Sequence, residues 1–556
     1  MKLVTPLLCL AVVFVYFGYL MLFLRDAPVG VDDVLAINQF LNQYILSKSW
    51  VEAWGLIFQP FREHILMTAK LSALLYWELF KNFNFVGYAL IGNLCFVGIT
   101  LLLIRNSWKG EMARLIYFVP VLLLFFHAQY MQTALWPMAV WSNGWVIFWV
   151  LLSLYFLNAS CQRVGWSSKA FLGAASLVAC LATFSNGNGI LVFGAGIYIL
   201  WAYRSSWGRF LLWSLLFGFC LACYISLRKS EGLGTQIFEP GLLLNPLAFL
   251  GAYVALVKLP IIREIGSVAA GVFIVASSCY FFVSKLATEG RKKDAWLIAS
   301  LLFVMLTAVA VGVLRAEENK LEGMHIGRYR HYSSLAFCIV YLLFLRNDRA
   351  KNTVLYVSLL PAFVGWLLSF YVEYGYSKTF SNQTVASYYN GMVSGLFLPQ
   401  HDYENKIAVE IIRRSASENI HHPDLFGDWV TPEFPRKKTD TIKVPLKISR
   451  YEVLATKGDG KCFRRVQLEF SGVHRPTSVN RQSFATLRMG SKKYLLATSA
   501  HKASLSELLL HGNYFDQNIQ AELIPCGYPK GTYAVELWKG IAEGQYIGYS
   551  AGRIAL

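Results

Sequence analysis

Up to about residue 371 the chain alternates long apolar runs with short polar breaks, and then its character changes. Runs of about 15–20 apolar residues are long enough to cross a bilayer as helices. They fall near residues 5–24, 84–104, 115–127, 139–157, 170–184, 190–203, 210–227, 267–284, 295–314, 331–346 and 353–371, which predicts about eleven crossings. Residues 64–80 are less apolar and read as a lead-in to the second span. Residues 228–266 are ambiguous, since the apolar run 242–260 within them carries Pro246 and Pro260. A crossing and a shallow dip both fit, and we take the dip because it keeps the later basic loop "KLATEGRKK" with the other basic loops. The tail is different material. From Thr441 onward, short strand-like runs alternate with turns, which predicts a β-rich, sandwich-like domain over 441–556. Residues 372–440 read as a connector with some helix around Glu404–Ser417. The fold class is therefore mainly α, a polytopic transmembrane body over residues 1–371 followed by the β-rich domain.

Composition agrees. Of 556 residues, 56% are hydrophobic and only 15% charged, too few for the surface of a soluble protein of this length. Arg105, Lys109, Arg114, Arg163, Lys169, Arg204 and Arg209 fall on one side of the predicted spans. "HAQYMQTALWPM", "SNGNG" and the first polar loop, residues 25–64, fall on the other. The positive-inside bias then places the N-terminus inside, and the first loop and tail outside. The net charge of +18 follows from that bias and a basic tail beside anionic lipid. No basic-aromatic module points to nucleic acid. Bulky Leu22-Phe23-Leu24 followed by Arg25-Asp26 offers no cleavage site, so the first span reads as retained. The ten cysteines show no zinc-site spacing, and Cys462 with Cys526 reads equally as a disulfide or as two free thiols.

Candidate chemistry concentrates in the first loop. Asp32 and Asp33 follow Gly30 at the predicted outer face, where carboxylates are costly unless they face water or a partner. They read as a catalytic base or metal ligand, or as caps of the helix that begins at "VLAINQF". Arg62, Glu63 and His64 precede an apolar helix. They read as interfacial charges, or as groups that support the Asp pair, bind acceptor or help hold a divalent cation, although no spacing code requires a metal. Arg328, Tyr329 and Arg330, followed by His331, close a polar loop where a span begins. This is a headgroup anchor or a clamp for a lipid-linked phosphate. Trp136 and Trp141 read as an interfacial belt ahead of sugar-stacking platforms, and Asn382-Gln383-Thr384 matches an N-glycosylation pattern.

The acidic pair in Gly30-Val31-Asp32-Asp33, the later "FREH" at Phe61–His64, the helix-rich body and the outer tail resemble the multi-pass membrane glycosyltransferases of the C type. The likeness is to bacterial members with an "NEHR"-like element after the first loop and an Arg-Tyr element before a late span. Here Arg62 precedes Glu63-His64 instead of following it. The resemblance implies an enzyme of the bacterial cytoplasmic membrane that moves a sugar from a polyprenyl-phosphate donor to an extracytoplasmic glycan, lipid or protein acceptor. It implies a carboxylate base at Asp32 or Asp33 and cationic or metal stabilisation of the leaving phosphate. A flippase for lipid-linked glycans and a non-enzymatic envelope protein presenting its tail are the rival readings.

Overall fold

The computed structural model describes residues 4–62, 64–107, 112–227, 244–256, 260–286, 290–314, 324–325, 327–346, 351–397, 402–421, 440–452, 464–476, 482–542 and 545–556. The chain divides into two compact units. The first comprises Met1–Leu20, Lys48–Ser72 and Ala89–Glu373, and the second comprises Met21–Ser47, Ala73–Tyr88 and Tyr374–Leu556. The first polar loop is therefore split, with its Asp32-Asp33 half grouped with the tail.

Among the described residues nine helices are long and apolar enough to cross a membrane, namely Val4–Phe23, Phe85–Ser107, Leu115–Ala134, Pro137–Cys161, Gly165–Ser185, Trp207–Leu227, Ile261–Ser284, Arg291–Val313 and Lys351–Ser394. The protein thus has multi-pass membrane character. Two further predicted spans fold as shorter helices, Val192–Ala202 and Arg330–Leu345. Within the first unit, hydroxyls on these helices fold back onto the preceding turn, as Thr100 does to Phe96 O, Thr183 to Ala179 O and Thr307 to Phe303 O. That satisfies a polar group without a partner helix.

The first unit has two chemically distinct ends. At one, Arg346 pairs with Asp294 at 2.6 Å and donates to Lys293 O and Asn106 O. There Gln162 donates to Tyr203, whose hydroxyl donates to Lys292 O. This basic end collects helix termini near residues 106, 162, 203, 292 and 346. The other end carries the uncharged polar segments around Gln129 and Asn188.

Residues 244–256 do not cross. A seven-residue helix, Leu244–Leu250, and the short turn Ala252–Val254 pack against the Pro260–Leu286 helix. Backbones meet there because Gly251 and Gly271 lack a Cβ. One added at Gly271 would lie 2.0 Å from Leu247 O, and one at Gly251 would lie 1.9 Å from Ser267 O. Overpacking of this kind costs about 1–3 kcal/mol. Gly271→Ala is therefore expected to lower the thermal midpoint of the detergent-purified protein. Gly173→Ala, in another helix with nothing within 4 Å of the added carbon, should match or exceed wild type. Equal midpoints for the two variants would remove the argument.

Outside the spanning helices, Lys70 reaches back from the Met67–Phe80 helix and donates to Leu56 O at 2.9 Å and to Gln59 O. It caps the carbonyl end of the Trp50–Phe58 helix, and burial pulls its pKa down to about 8. Trp50, Val51 and Trp54 are exposed along that helix, an apolar face suited to the headgroup zone.

In the second unit the strands are β1 Asp440–Lys443, β2 Leu446–Glu452, β3 Arg464–Ser471, β4 Ser483–Met489, β5 Lys492–Lys502, β6 Phe515–Leu523, β7 Thr532–Ala542 and β8 Gln545–Ala555. Their order is β1-β8-β7-β4-β5-β6-β3-β2. Val444 N–H donates to Ser550 O, and Ser471 N–H donates to Pro445 O. β1 and β2 therefore run on across Pro445 as one strand that touches β8 at one end and β3 at the other. The sheet is barrel-like, with seven strands when this bridging strand counts once. This corrects the expected sandwich. Bulges in β6, β7 and β8 supply the curvature.

Alternation sorts the side chains into two cores. Val466, Leu468, Phe470, Leu487, Leu496, Val535 and Leu537 share one. From the opposite face, Phe484, Leu495 and Trp538 meet Tyr388, Tyr389, Ile411 and Ile412 of two helices, and Val31 and Val34 of the first loop. The Asp402–Ser417 helix lies where the sequence places it. Residues 372–394, expected as connector, instead continue the 44-residue helix Lys351–Ser394. Asn382 is 0% exposed on that helix, so the glycosylation pattern is closed to a modifying enzyme in the folded protein.

Candidate functional site

Asp32 and Asp33 belong to the second unit. Helix begins at Val31 with extended Gly30 before it, so both aspartates lie inside the first turn and neither is the cap residue. Asp33 is 0% exposed and its Oδ2 accepts the Val29 N–H at 2.8 Å. A π-helical turn, Val34–Asn38, comes directly after it. Such turns insert an extra residue and re-aim the side chains beyond it, and they recur at functional positions. Asn38 donates to Ser415 Oγ, Asn42 donates to Ile411 O, and Ser415 donates to Asn42 Oδ1 at 3.0 Å. The Asp402–Ser417 helix thus fixes the chain just after Asp33.

Asp26, which the sequence does not single out, is the hub of this region. It accepts from Asn84 Nδ2 at 2.9 Å and Phe85 N–H at 2.7 Å, and meets His421 Nε2 at 3.2 Å. It closes the start of the Phe85–Ser107 helix, a position where a carboxylate is favoured.

The first unit holds the other predicted site residues. Phe61 and His64 exchange backbone hydrogen bonds of 2.7 and 2.9 Å around a tight turn, with Arg62 at φ +49°. Glu63 lies outside the described residues. His64 Nδ1 is 3.5 Å from Tyr224 OH, and a Cβ added at Gly187 would fall within 3.3 Å of both side chains. The "SNGNG" segment therefore needs glycine to fit against His64.

Around that segment the uncharged polar breaks converge. Asn186 donates to Asn143 and Asn188 donates to Tyr332, each at 2.8 Å. His127 Nδ1 accepts from Gln129 N–H at 3.1 Å, which makes its Nε2 the donor to Ser334 Oγ at 2.8 Å. His331 packs beside Tyr130 and Tyr332. Buried polar atoms without a protein partner gather here, among them both amide atoms of Gln129, Thr133 Oγ1 and Asn188 Oδ1. Buried groups of this kind almost always have a partner. Trp141 and Trp145 stack on each other at 4.9 Å, and Trp141 is buried, so it does not form the expected interfacial belt.

The two arginines differ. Arg330 pairs with Glu373 at 3.1 Å and donates to His325 O at 3.0 Å. Arg328 lies over the Tyr329 ring at 5.1 Å, and its Nε is buried without a partner. His325 accepts or donates at 2.6 Å with Ser267, and burial, with Arg263 and Arg330 beside it, lowers its pKa to about 4. Between pH 4 and its ordinary 6.5 the unfolded chain binds the extra proton, so stability falls as pH drops through that window. The expected loss from pH 7 to pH 5 is about 2 kcal/mol. Thermal unfolding of wild type and His325→Asn at both pH values measures it, and an unchanged pH dependence in the variant would count against it.

Among the described residues no group of three His, Cys, Asp or Glu side chains is placed to hold a metal ion. Cys462 also lies outside the described residues. Comparison with known proteins matched no family model, no curated protein and no solved structure. The reading of this chain therefore rests on its own residues. Sequence reasoning missed His127, Gln129, Thr133, Asn188 and Glu373. The signal was present in "HAQYMQT" and "SNGNG", polar breaks that lack charge.

Proposed function

We propose that the chain is a multi-pass membrane glycosyltransferase that transfers a sugar from a polyprenyl-phosphate donor to an extracytoplasmic glycan, lipid or protein acceptor. The observation that supports this reading is the polar end of the first unit. Its unmatched groups are neutral donors and acceptors, the chemistry that recognises sugar hydroxyls, and Arg328 beside them suits a phosphate.

In the transfer the acceptor oxygen attacks the anomeric carbon and the bond from that carbon to the phosphate oxygen breaks. The phosphate leaves with the electron pair, and the hydroxyl proton passes to a carboxylate. We assign that base to Asp33, with Asp32 as the alternate. We also place the shorter helices Gly187–Ala202 and Arg330–Leu345 across the membrane, because each runs from the polar end to the basic end. At 1.5 Å per residue each of these 16-residue segments is about 24 Å long. That gives eleven crossings, the N-terminus inside and the tail outside. Mass spectrometry of envelope glycans from cells with and without the protein tests the function. An identical glycan profile would leave a presenting role as the better account.

A further inference from the structure

The second unit contains a polar cluster that the transfer chemistry does not use. Arg475 is 2% exposed. Its Nη1 donates to Thr379 Oγ1 at 3.1 Å, while Nε and Nη2 are buried without a partner. Three N–H bonds of one guanidinium are thus unanswered, and among the described residues no carboxylate pairs with it. Lys378 is 2% exposed, and its Nζ and the Arg475 guanidinium lie 5.9 and 4.8 Å from the same Phe515 ring. Ser381 and Asn382 are three and four residues beyond Lys378, on the same face of the helix. Asn382 is 0% exposed, and both its amide atoms and Ser381 Oγ are also without partners. A buried cation with unmatched donors is costly unless something anionic answers it.

We propose that Arg475, Lys378, Ser381 and Asn382 form a binding site for a phosphate group. A phosphate offers several acceptor oxygens and more than one negative charge, which suits the fork of Arg475 with the Lys378 amine, itself held by Pro476 O, beside it. A single carboxylate would leave most of these donors unanswered. The group can come from a free phosphate or from a lipid headgroup. The site stands apart from the transferase reading, because binding is read without any sugar donor.

The test uses full-length protein. Inorganic phosphate and pyrophosphate are titrated in detergent, and phosphatidylglycerol or a polyprenyl phosphate is added in nanodiscs, with the melting midpoint as the readout. The midpoint should rise with at least one probe. A rise with the soluble anions alone identifies a free phosphate, and a rise with a lipid probe alone identifies a headgroup. Arg475→Met should weaken binding about ten- to hundredfold, matching the loss of charge-assisted hydrogen bonds. Asn382→Ala should weaken it less. Without phosphate, Arg475→Met should be as stable as wild type or more so, since it removes an unanswered buried charge. A merely structural arginine predicts the reverse. The proposal fails if no phosphate probe moves the wild-type midpoint, as when water alone fills the site. It also fails if both variants respond as wild type does.

Discussion

Asp33→Asn is expected to abolish sugar transfer, by about a thousandfold or more, while leaving the protein folded and inserted. Two roles of this carboxylate separate in that variant. One is the hydrogen bond from Val29 N–H to Oδ2, which the amide oxygen of asparagine still accepts. The other is basicity, which the amide lacks. General-base catalysis alone is worth about 10²–10⁴ in rate. Burial keeps water from substituting for the lost base, so the loss should fall in the upper part of that range. Asp32 is less buried and makes the natural comparison, and Asp32→Asn should lose less. The measurement is turnover of a polyprenyl-phosphate sugar by detergent-purified variants, with thermal midpoints alongside. Full activity in Asp33→Asn would end its assignment as the base.

Arg330→Ala is expected to damage the fold, whereas Arg328→Ala is expected to damage donor binding. Arg330 is held by Glu373, and both side chains are mostly buried, at 12% and 14% exposure. Removing one partner of a buried pair costs about 3–5 kcal/mol, because the other charge is left behind. Partial exposure trims that, so about 2–4 kcal/mol is expected. Replacing both residues with Met and Leu should recover much of the loss, since the uncompensated charge disappears with the pair. Arg328 has a buried Nε to offer and no carboxylate partner among the described residues. Its loss should leave the melting midpoint nearly unchanged and weaken donor affinity about ten- to hundredfold. Donor titrations and melting curves on the three variants separate these roles. If Arg330→Ala melts like wild type and binds donor poorly, the two assignments are reversed.

The nine long spans among the described residues were legible because a helix long and apolar enough to cross a bilayer leaves an apolar run of that length. The Val192–Ala202 and Arg330–Leu345 helices carry the same signal at shorter length, so hydropathy finds them without fixing what they do. Strand runs from β1 to β7 were also legible by alternation. β8 was not, since Gly548, Ser550 and Gly552 break its apolar pattern. A barrel and a sandwich share the same local pattern, and only the pairing of β1 with β8 across about a hundred residues tells them apart. The site shows the same divide. Charged Asp33 and Arg328 stand out in any reading of the chain. The side chains of Gln129 and Thr133 stand out only once packing shows that nothing in the protein answers them.

The ring of the second unit closes on its last residues. β8 ends at Ala555, and Leu556 exchanges backbone hydrogen bonds of 3.0 and 3.2 Å with Gly531. β1 waits for β8, so the barrel stays open until the strand about a hundred residues later has been made. Tyr388, Ile412 and Trp538 likewise form one core with Val31, made some 350–500 residues earlier. During biogenesis the segment after the first span must therefore wait for these later residues before its core can close. A chain without β8 would lack the strand that seals the sheet and expose two unpaired edges. Such edges recruit other chains, so the solubility of this unit hangs on β8 reaching its place between β1 and β7.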